Sequence, residues 1–153
     1  MVIKRNQRRA GSMPALFCVE GKMIYVVCGL IGAGKSTYAK KICENVTECE
    51  DITKAEQIKE TEKLATSGKD VAHVTTYPTS WELDFFETQK QVKYIWVNTT
   101  EEQCYRNILR RGRLRDIANI GETVKKNREI ERRAQRSKLD FQMIDVFDSG
   151  ERW

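Results

Sequence analysis

Proline, histidine and long apolar runs are scarce in this chain of 153 residues. It contains two prolines and one histidine, His73, while forty per cent of its residues are hydrophobic. This composition is typical of a folded domain and argues against a chain that is disordered as a whole. No stretch approaches the ~18 consecutive apolar residues that a membrane-spanning helix needs, so we expect no membrane partner. A single histidine also argues against a zinc site.

Paired cysteine motifs are absent as well. The five cysteines are scattered, odd in number and never spaced as C-x-x-C; they are Cys18, Cys28, Cys43, Cys49 and Cys104. Three of them, Cys28, Cys43 and Cys104, fall on the expected core faces of strands or helices and are interpreted as small buried apolar side chains. This usage favours a reducing compartment, and we predict a cytoplasmic protein.

The most informative motif is Gly-Leu-Ile-Gly-Ala-Gly-Lys-Ser at positions 29–36, which has the pattern G-x-x-x-x-G-K-[ST]. An apolar run at 23–28 precedes it and indicates a buried strand, and apolar positions at helical spacing follow it. This strand–loop–helix context predicts a phosphate-binding loop, the name used below for residues 29–36. The alternative is a glycine-rich turn without a ligand, which would not require Lys-Ser after the last glycine.

The residue types of the loop suit the phosphates of ATP with Mg²⁺. Glycines let successive backbone N–H groups face phosphate oxygens, and the following helix adds its positive end. Lys35 supplies a mobile charge for the outer phosphates, and the Ser36 hydroxyl is a candidate Mg²⁺ ligand. The loop residues predicted to contact the nucleotide are Gly29, Ile31, Gly32, Ala33, Gly34, Lys35, Ser36 and Thr37.

Helices and strands are expected to alternate along the chain after the loop. Capping-box patterns at Thr53, Thr79 and Thr99 predict helices over 54–66, 80–90 and 101–111. The apolar runs before them predict strands over 46–50, 71–76 and 92–97, and residues 141–147 predict a fifth strand. The expected fold is α/β: a P-loop NTPase fold with a parallel sheet of about five strands flanked by helices.

Positive charge is concentrated in residues 106–138. Twelve basic residues against four acidic ones give this segment a net charge of +8, so the rest of the chain carries −3 of the total +5. Residues 113–121 are turn-prone, and the helical pattern that follows them is too polar for a core helix. We therefore predict a basic helical lid over about 112–138 and a polyanion partner, either nucleotide phosphates or a nucleic acid. A solvated charged helix is the alternative.

Asp51 is the main acidic candidate. It follows the second expected strand, where it could accept a proton from an acceptor hydroxyl or hold a Mg²⁺ water; Glu50 is a weaker candidate for the same role. The alternative for Asp51 is an acid that merely favours the start of a helix. No acid follows the third strand in 75–79. His73 lies inside that strand and is interpreted as a core residue.

Arginines near the lid are candidates for contacting a transferring phosphoryl group. Arg106, Arg110 and Arg113 form one stripe of the expected helix, and Arg111 lies beside the break at Gly112. Planar guanidinium groups suit phosphoryl oxygens. One or two of these side chains are expected to reach the site.

Three segments together, residues 29–36, 49–51 and 93–113, resemble small P-loop kinases. The similarity is greatest to the phage-type polynucleotide 5′-hydroxyl kinase group and its relatives among zeta-toxin-like and small-metabolite kinases. It implies that Asp51 is the general base. It also implies that the γ-phosphate and adenine are bracketed by Arg106, Arg110, Arg111 and Arg113. The chain departs from the group after the third strand, where Val74-Thr75-Thr76 replaces the usual Asp-Thr-Asn-like motif.

The sequence therefore predicts a kinase domain over 23–153 that transfers the γ-phosphoryl group of ATP to a hydroxyl. The acceptor is expected to be a nucleic-acid 5′ end or a nucleotide-like molecule. The predicted catalytic residues are Lys35, Asp51, Arg110 and Arg113, and the predicted metal ligands are Ser36 and Asp51. The alternatives are a P-loop NTPase and a binding protein with degenerate catalysis. Residues 1–22 carry a basic stretch over 2–9 and are left open as a disordered arm, an added strand or upstream sequence.

Overall fold

The computed structural model describes residues 23–147. The predicted N-terminal arm at 1–22 and the last six residues lie outside the described part. The described residues form one five-stranded sheet in which every paired strand is parallel. Its strands are β1 Ile24–Cys28, β2 Val46–Thr47, β3 Val71–Val74, β4 Val92–Val97 and β5 Phe141–Ile144, in the order β2-β3-β1-β4-β5.

Helices connect the successive parallel strands. They are α1 Lys35–Ile42, α2 Lys54–Thr66, α3 Ser80–Glu87, α4 Glu101–Arg111, α5 Leu114–Ala118 and α6 Ile120–Gln135. The phosphate-binding loop joins the central strand β1 to α1. The predicted α/β class and the parallel sheet of five strands flanked by helices are confirmed for residues 23–147. Within residues 23–147, no helix is long and apolar enough to cross a bilayer.

The core surrounds the central strand. Val26, Val27 and Cys28 of β1 have no exposed surface, because β3 and β4 flank this strand and helices cover the sheet. Such a continuous apolar run is what a strand buried on both faces requires. The register pairs Val27 with Val74 of β3 and with Ile95 of β4, so these strands end at nearly the same level. The segments that follow them therefore meet at one edge of the sheet.

Two of the three expected capping boxes are confirmed, at Thr53 and Thr79. The third is wrong by one residue: α4 is capped by Thr100, whose side chain accepts a hydrogen bond from the N–H of Gln103. The Thr99 hydroxyl instead donates to the carbonyl of Ala33, at 2.7 Å. Thr99 therefore forms its hydrogen bond with Ala33 of the phosphate-binding loop and not with the first turn of α4.

Element boundaries differ from expectation around β2 and the predicted lid. The strand β2 has two residues instead of five, which leaves Glu48 in the following turn. The stretch expected to be a loop over 113–121 contains α5, and α6 begins at Ile120. Although α6 is mostly polar, it buries Asn127 and Ile130 against the domain. Much of the predicted lid is therefore a packed helix in this structure.

Candidate phosphate-binding site

A cavity of about 720 Å³ opens at the carboxyl ends of the strands. Its walls are the phosphate-binding loop, the turn after β2, the segment after β3, the end of α4 and residues 146–147. Ligands of open α/β sheets bind at this edge, and the volume lies within the usual range for small-molecule sites. The predicted site residues that line it are Ile31, Gly32, Ala33, Gly34, Lys35, Ser36, Thr37, Arg110 and Arg111.

Lys35 has the position that the motif predicts. Its ammonium group donates to the carbonyl of Leu30 at 2.7 Å, inside the loop itself. Burial, with the nearby positive charge of Arg111 contributing, lowers the pKa of Lys35 to about 8. A negative ligand in the cavity would compensate for this desolvated charge.

The Ser36 hydroxyl donates a 2.7 Å hydrogen bond to the carboxylate of Glu48, and both residues line the cavity. The sequence analysis did not identify Glu48 as a site residue, because residue 48 lies inside the strand that was predicted over 46–50. One sequence feature could have indicated Glu48. The apolar run that begins at Val46 is already interrupted by the polar Thr47, so the strand could have been expected to end before Glu48. Glu48 is thus the carboxylate beside the loop hydroxyl that was predicted to bind Mg²⁺.

Asp51 occupies a different place from the one expected. It is exposed in the turn before α2, and the residues that line the cavity include Glu48 and Glu50 but not Asp51. Glu50 is paired with Arg113 across 3.5 Å at the cavity rim. The short β2 is the physical reason, since its early end turns residue 48 into the cavity and carries residue 51 beyond it. The geometry favours Glu48 over Asp51 for both predicted roles.

The arginine stripe is split by the structure. Arg110 and Arg111, in the last turn of α4, line the cavity. Arg106, one turn earlier, is ion-paired with Glu102 at 3.1 Å on the exposed side of the helix. Arg113 is more than a third exposed and does not line the cavity. Arg110 and Arg111 therefore line the cavity, whereas Arg106 and Arg113, which were also predicted as site residues, do not.

Two backbone N–H groups of the loop are engaged by hydrogen bonds within the protein. The N–H of Gly29 donates to the carbonyl of Thr76 at 3.1 Å, and Gly29 does not line the cavity. The N–H of Ile31 donates to the side-chain oxygen of Asn127 at 2.7 Å. The N–H of Ile31 is therefore not available to a ligand, although Ile31 lines the cavity.

A buried polar network, which the sequence analysis did not predict, supports the wall on the β3 side. His73 is fully buried; its Nε2 donates to Glu82 at 2.7 Å and its Nδ1 accepts from the Thr61 hydroxyl at 2.7 Å. Lys54 donates to Glu82 at 2.9 Å and to the Thr75 hydroxyl at 3.2 Å. Lys54 and Thr75 line the cavity, so the network ends at its surface.

The charges of this network are balanced. Burial lowers the pKa of His73, which favours the neutral ring. Burial alone would raise the pKa of Glu82, but hydrogen bonds from His73 and Lys54 outweigh it and lower this pKa to about 2. The wall therefore holds one anion, Glu82, compensated by one cation, Lys54. His73 is confirmed as a core residue.

The described residues contain no group of three or more His, Cys, Asp or Glu side chains able to hold a metal by themselves. A Mg²⁺ ion that entered with nucleotide phosphates would still find oxygen ligands, since the Ser36 hydroxyl and the Glu48 carboxylate lie together in the cavity. Such a hard oxygen set fits Mg²⁺, which is usually bound by one or two carboxylates together with substrate phosphates.

No protein-family model matches the chain, and no curated protein matches it either. Among solved structures, it is similar to deoxyadenosine kinase from M. mycoides with bound dATP. The identity is 16%, the match covers 80% of this chain and 89% of that one, and the TM-score is 0.49. A second structure of that enzyme, with the products dCMP and a flexible dCDP bound, is 17% identical. It covers 80% of this chain and 90% of that chain, also with a TM-score of 0.49.

Proposed function

We propose that this protein is an ATP-dependent kinase that transfers the γ-phosphoryl group to a hydroxyl of a nucleotide-like acceptor or a nucleic-acid 5′ end. The observation that supports this proposal is the grouping of Lys35, Ser36 and Glu48 in one cavity that two arginines also line. A cation for the outer phosphates, a metal-binding hydroxyl and a carboxylate are the parts that phosphoryl transfer requires.

On the nucleotide side, the loop amides and Lys35 bind the phosphate chain. Lys35 leaves the Leu30 carbonyl, which it contacts in the free protein, and turns to the outer phosphates. Mg²⁺, held by the Ser36 hydroxyl and by oxygens of the phosphates themselves, would neutralise charge that develops on the phosphates. Arg110 and Arg111 face the same space and orient the transferring group through their planar donors.

Transfer needs a group that removes the acceptor proton. The acceptor oxygen forms a bond to the γ-phosphorus, the bond from that phosphorus to the β-phosphate bridging oxygen breaks, and ADP leaves. The hydroxyl proton passes to a carboxylate, for which we propose Glu48, the first acid after β2. Asp51 stays the alternative that the family resemblance implies.

The acceptor binds on the β3 side of the cavity. Thr75, Thr76 and Thr79 line that side together with Lys54, so hydroxyl groups and one compensated cation face the acceptor. This surface suits a polar ligand with hydrogen-bonding edges, such as a base or a sugar. Arg110 and Arg111 line the same cavity, and their positive charge suits phosphates of the acceptor.

The test is transfer of label from γ-labelled ATP to a panel of nucleosides, nucleotides and 5′-hydroxyl oligonucleotides. We expect acceptor-dependent labelling by the parent protein. Glu48→Gln should lower the transfer rate by about 10²–10⁴-fold, the usual contribution of a general base. Asp51→Asn is the matched control and should transfer at nearly the parent rate, as should Glu50→Gln.

Each other outcome would contradict part of the proposal. A large loss in Asp51→Asn with normal transfer by Glu48→Gln would restore Asp51 as the base. Release of labelled phosphate without any labelled acceptor would indicate an NTPase. ATP binding without either reaction would indicate a nucleotide-binding accessory protein.

A further inference from the structure

Backbone carbonyls of the phosphate-binding loop accept hydrogen bonds from three polar side chains that the proposed reaction does not use; of these, Asn107 lines the cavity, and Asn127 and Thr99 do not. Asn127 of α6 donates to the carbonyl of Ile31 at 3.2 Å, and Asn107 of α4 donates to the carbonyl of Gly32 at 2.8 Å. Thr99 donates to the carbonyl of Ala33 at 2.7 Å. Three successive carbonyls thus have donors from three parts of the fold, and we call these three side chains the carbonyl clamp.

Asn127 makes the tightest connection. Its amide is fully buried and forms two hydrogen bonds with one residue, accepting from the N–H of Ile31 at 2.7 Å and donating to its carbonyl. The amide thereby pairs with the Ile31 backbone as a neighbouring strand would. The two residues are 96 positions apart, so this contact depends entirely on the packing of α6.

These contacts determine where the loop donors point. In a trans peptide the C=O and the next N–H point in opposite directions, and the described residues contain no cis peptide. Holding the carbonyls of Ile31 and Ala33 on the outer side therefore turns the N–H groups of Gly32 and Gly34 away from the clamp. Both glycines line the cavity and have positive φ, 89° and 94°. A carbonyl that rotated inward would present negative charge to a phosphate.

We propose that Asn127, Asn107 and Thr99 are positioning residues that hold the phosphate-binding loop in its anion-binding conformation. The proposal rests on the proposed function in one respect, that the loop binds the phosphate chain of a nucleotide. It gives α6 a role other than that of a lid, because this helix fixes the loop from outside. The clamp should affect the affinity for any ligand whose phosphate group binds in the loop.

Thr99 provides the sharpest test, because valine has nearly the same shape as threonine but lacks the hydroxyl. Thr99→Val removes the donor to Ala33, and Thr99→Ser keeps it. The matched control is Thr100→Val, next in the chain, which removes the cap of α4 and touches no loop carbonyl. It should lower the melting temperature without changing anion affinity.

The experiment measures the affinity for inorganic pyrophosphate and for ATP with Mg²⁺ by calorimetry, well below each melting temperature. We expect Thr99→Val to bind both ligands more weakly, by up to about tenfold, because one lost hydrogen bond can lower the population of the binding-competent loop by at most that factor. Thr99→Ser should bind as the parent does. Asn127→Leu should lose more, because two hydrogen bonds disappear. The affinities for pyrophosphate and for ATP should fall by similar factors, since the clamp acts on the phosphate-binding loop that both ligands occupy.

The failure of this inference differs from the failure of the proposed function. Parent-like binding by Thr99→Val and Asn127→Leu, with a parent that does bind, would overturn the clamp alone. Equal weakening by Thr99→Val and Thr100→Val would also overturn it, since that result would follow from lost stability. A parent that binds neither pyrophosphate nor ATP would overturn both.

Discussion

Raising the pH from 7 to 9 should weaken nucleotide binding, because Lys35 loses its proton in the free protein. In the free protein the pKa of Lys35 is lowered to about 8, chiefly by burial. Phosphates beside the ammonium group favour its charged form, so the pKa of Lys35 rises again in the complex. Above about pH 8, binding must therefore take up a proton, and the affinity falls as the pH rises.

The size of the effect follows from the protonated fraction of the free protein. With a pKa of about 8, Lys35 is about nine-tenths protonated at pH 7 and about one-tenth protonated at pH 9. If the bound form stays protonated throughout, the affinity falls about tenfold over this range, or about 1.4 kcal/mol. A lysine with its ordinary pKa of about 10.4 would give almost no change.

Calorimetry of ATP with Mg²⁺ at several pH values measures this directly, and buffers of different ionisation enthalpy count the protons taken up. The terminal phosphate is already fully ionised in this range, since its last pKa is near 6, and does not contribute. Lys35→Arg is the matched control, because a guanidinium group keeps its charge and its profile should be flat. A parent profile as flat as that of Lys35→Arg would refute the reasoning.

Two further predictions concern the lid and the loop. Trypsin should cut first within 111–115, around the short α5, and ATP with Mg²⁺ should slow this cleavage; first cuts inside α6 would contradict the packing of that helix by Asn127 and Ile130. Gly32→Ala should abolish pyrophosphate binding and lower stability. Its φ is +89°, and an added Cβ would lie 2.7 Å from the backbone oxygen of Cys104, so unchanged pyrophosphate binding would contradict the geometry of the loop.

The parts of the site that are contiguous in sequence could be predicted. The phosphate-binding loop, its strand and its helix form one segment, and local pattern was enough to place Lys35 and Ser36 in a cavity at the sheet edge. The fold class followed from the alternation of apolar runs and capping boxes. These features depend on interactions between near neighbours along the chain.

The carboxylate beside the loop was not predictable in the same way. Whether Glu48 or Asp51 faces the cavity depends on where β2 ends, and β2 is held by its pairing with β3 and not by its own two residues. Propensity alone favoured a longer strand. A shift of a few residues in that boundary exchanged one acid for another.

The carbonyl clamp could not be predicted from the sequence either, because it also depends on contacts between residues that are distant along the chain. Asn127 lies in a helix with few apolar residues, which in sequence looks like a solvated surface. Its partner Ile31 is far away along the chain, and nothing local distinguishes a buried asparagine from an exposed one. The Glu82 partner of His73 was missed likewise, because its capping-box role already explained it.

The most direct test of the account is calorimetric titration of the parent protein and of Lys35→Ala with ATP in the presence of Mg²⁺. The account predicts saturable binding by the parent and an affinity at least about tenfold lower for the variant, because a charge-assisted contact of roughly 1.5–3 kcal/mol is lost. Melting temperatures without ligand should be similar, since Lys35 lines the cavity and is not part of the core. Equal affinities, or no binding by the parent, would contradict the central claim that this loop binds a nucleotide.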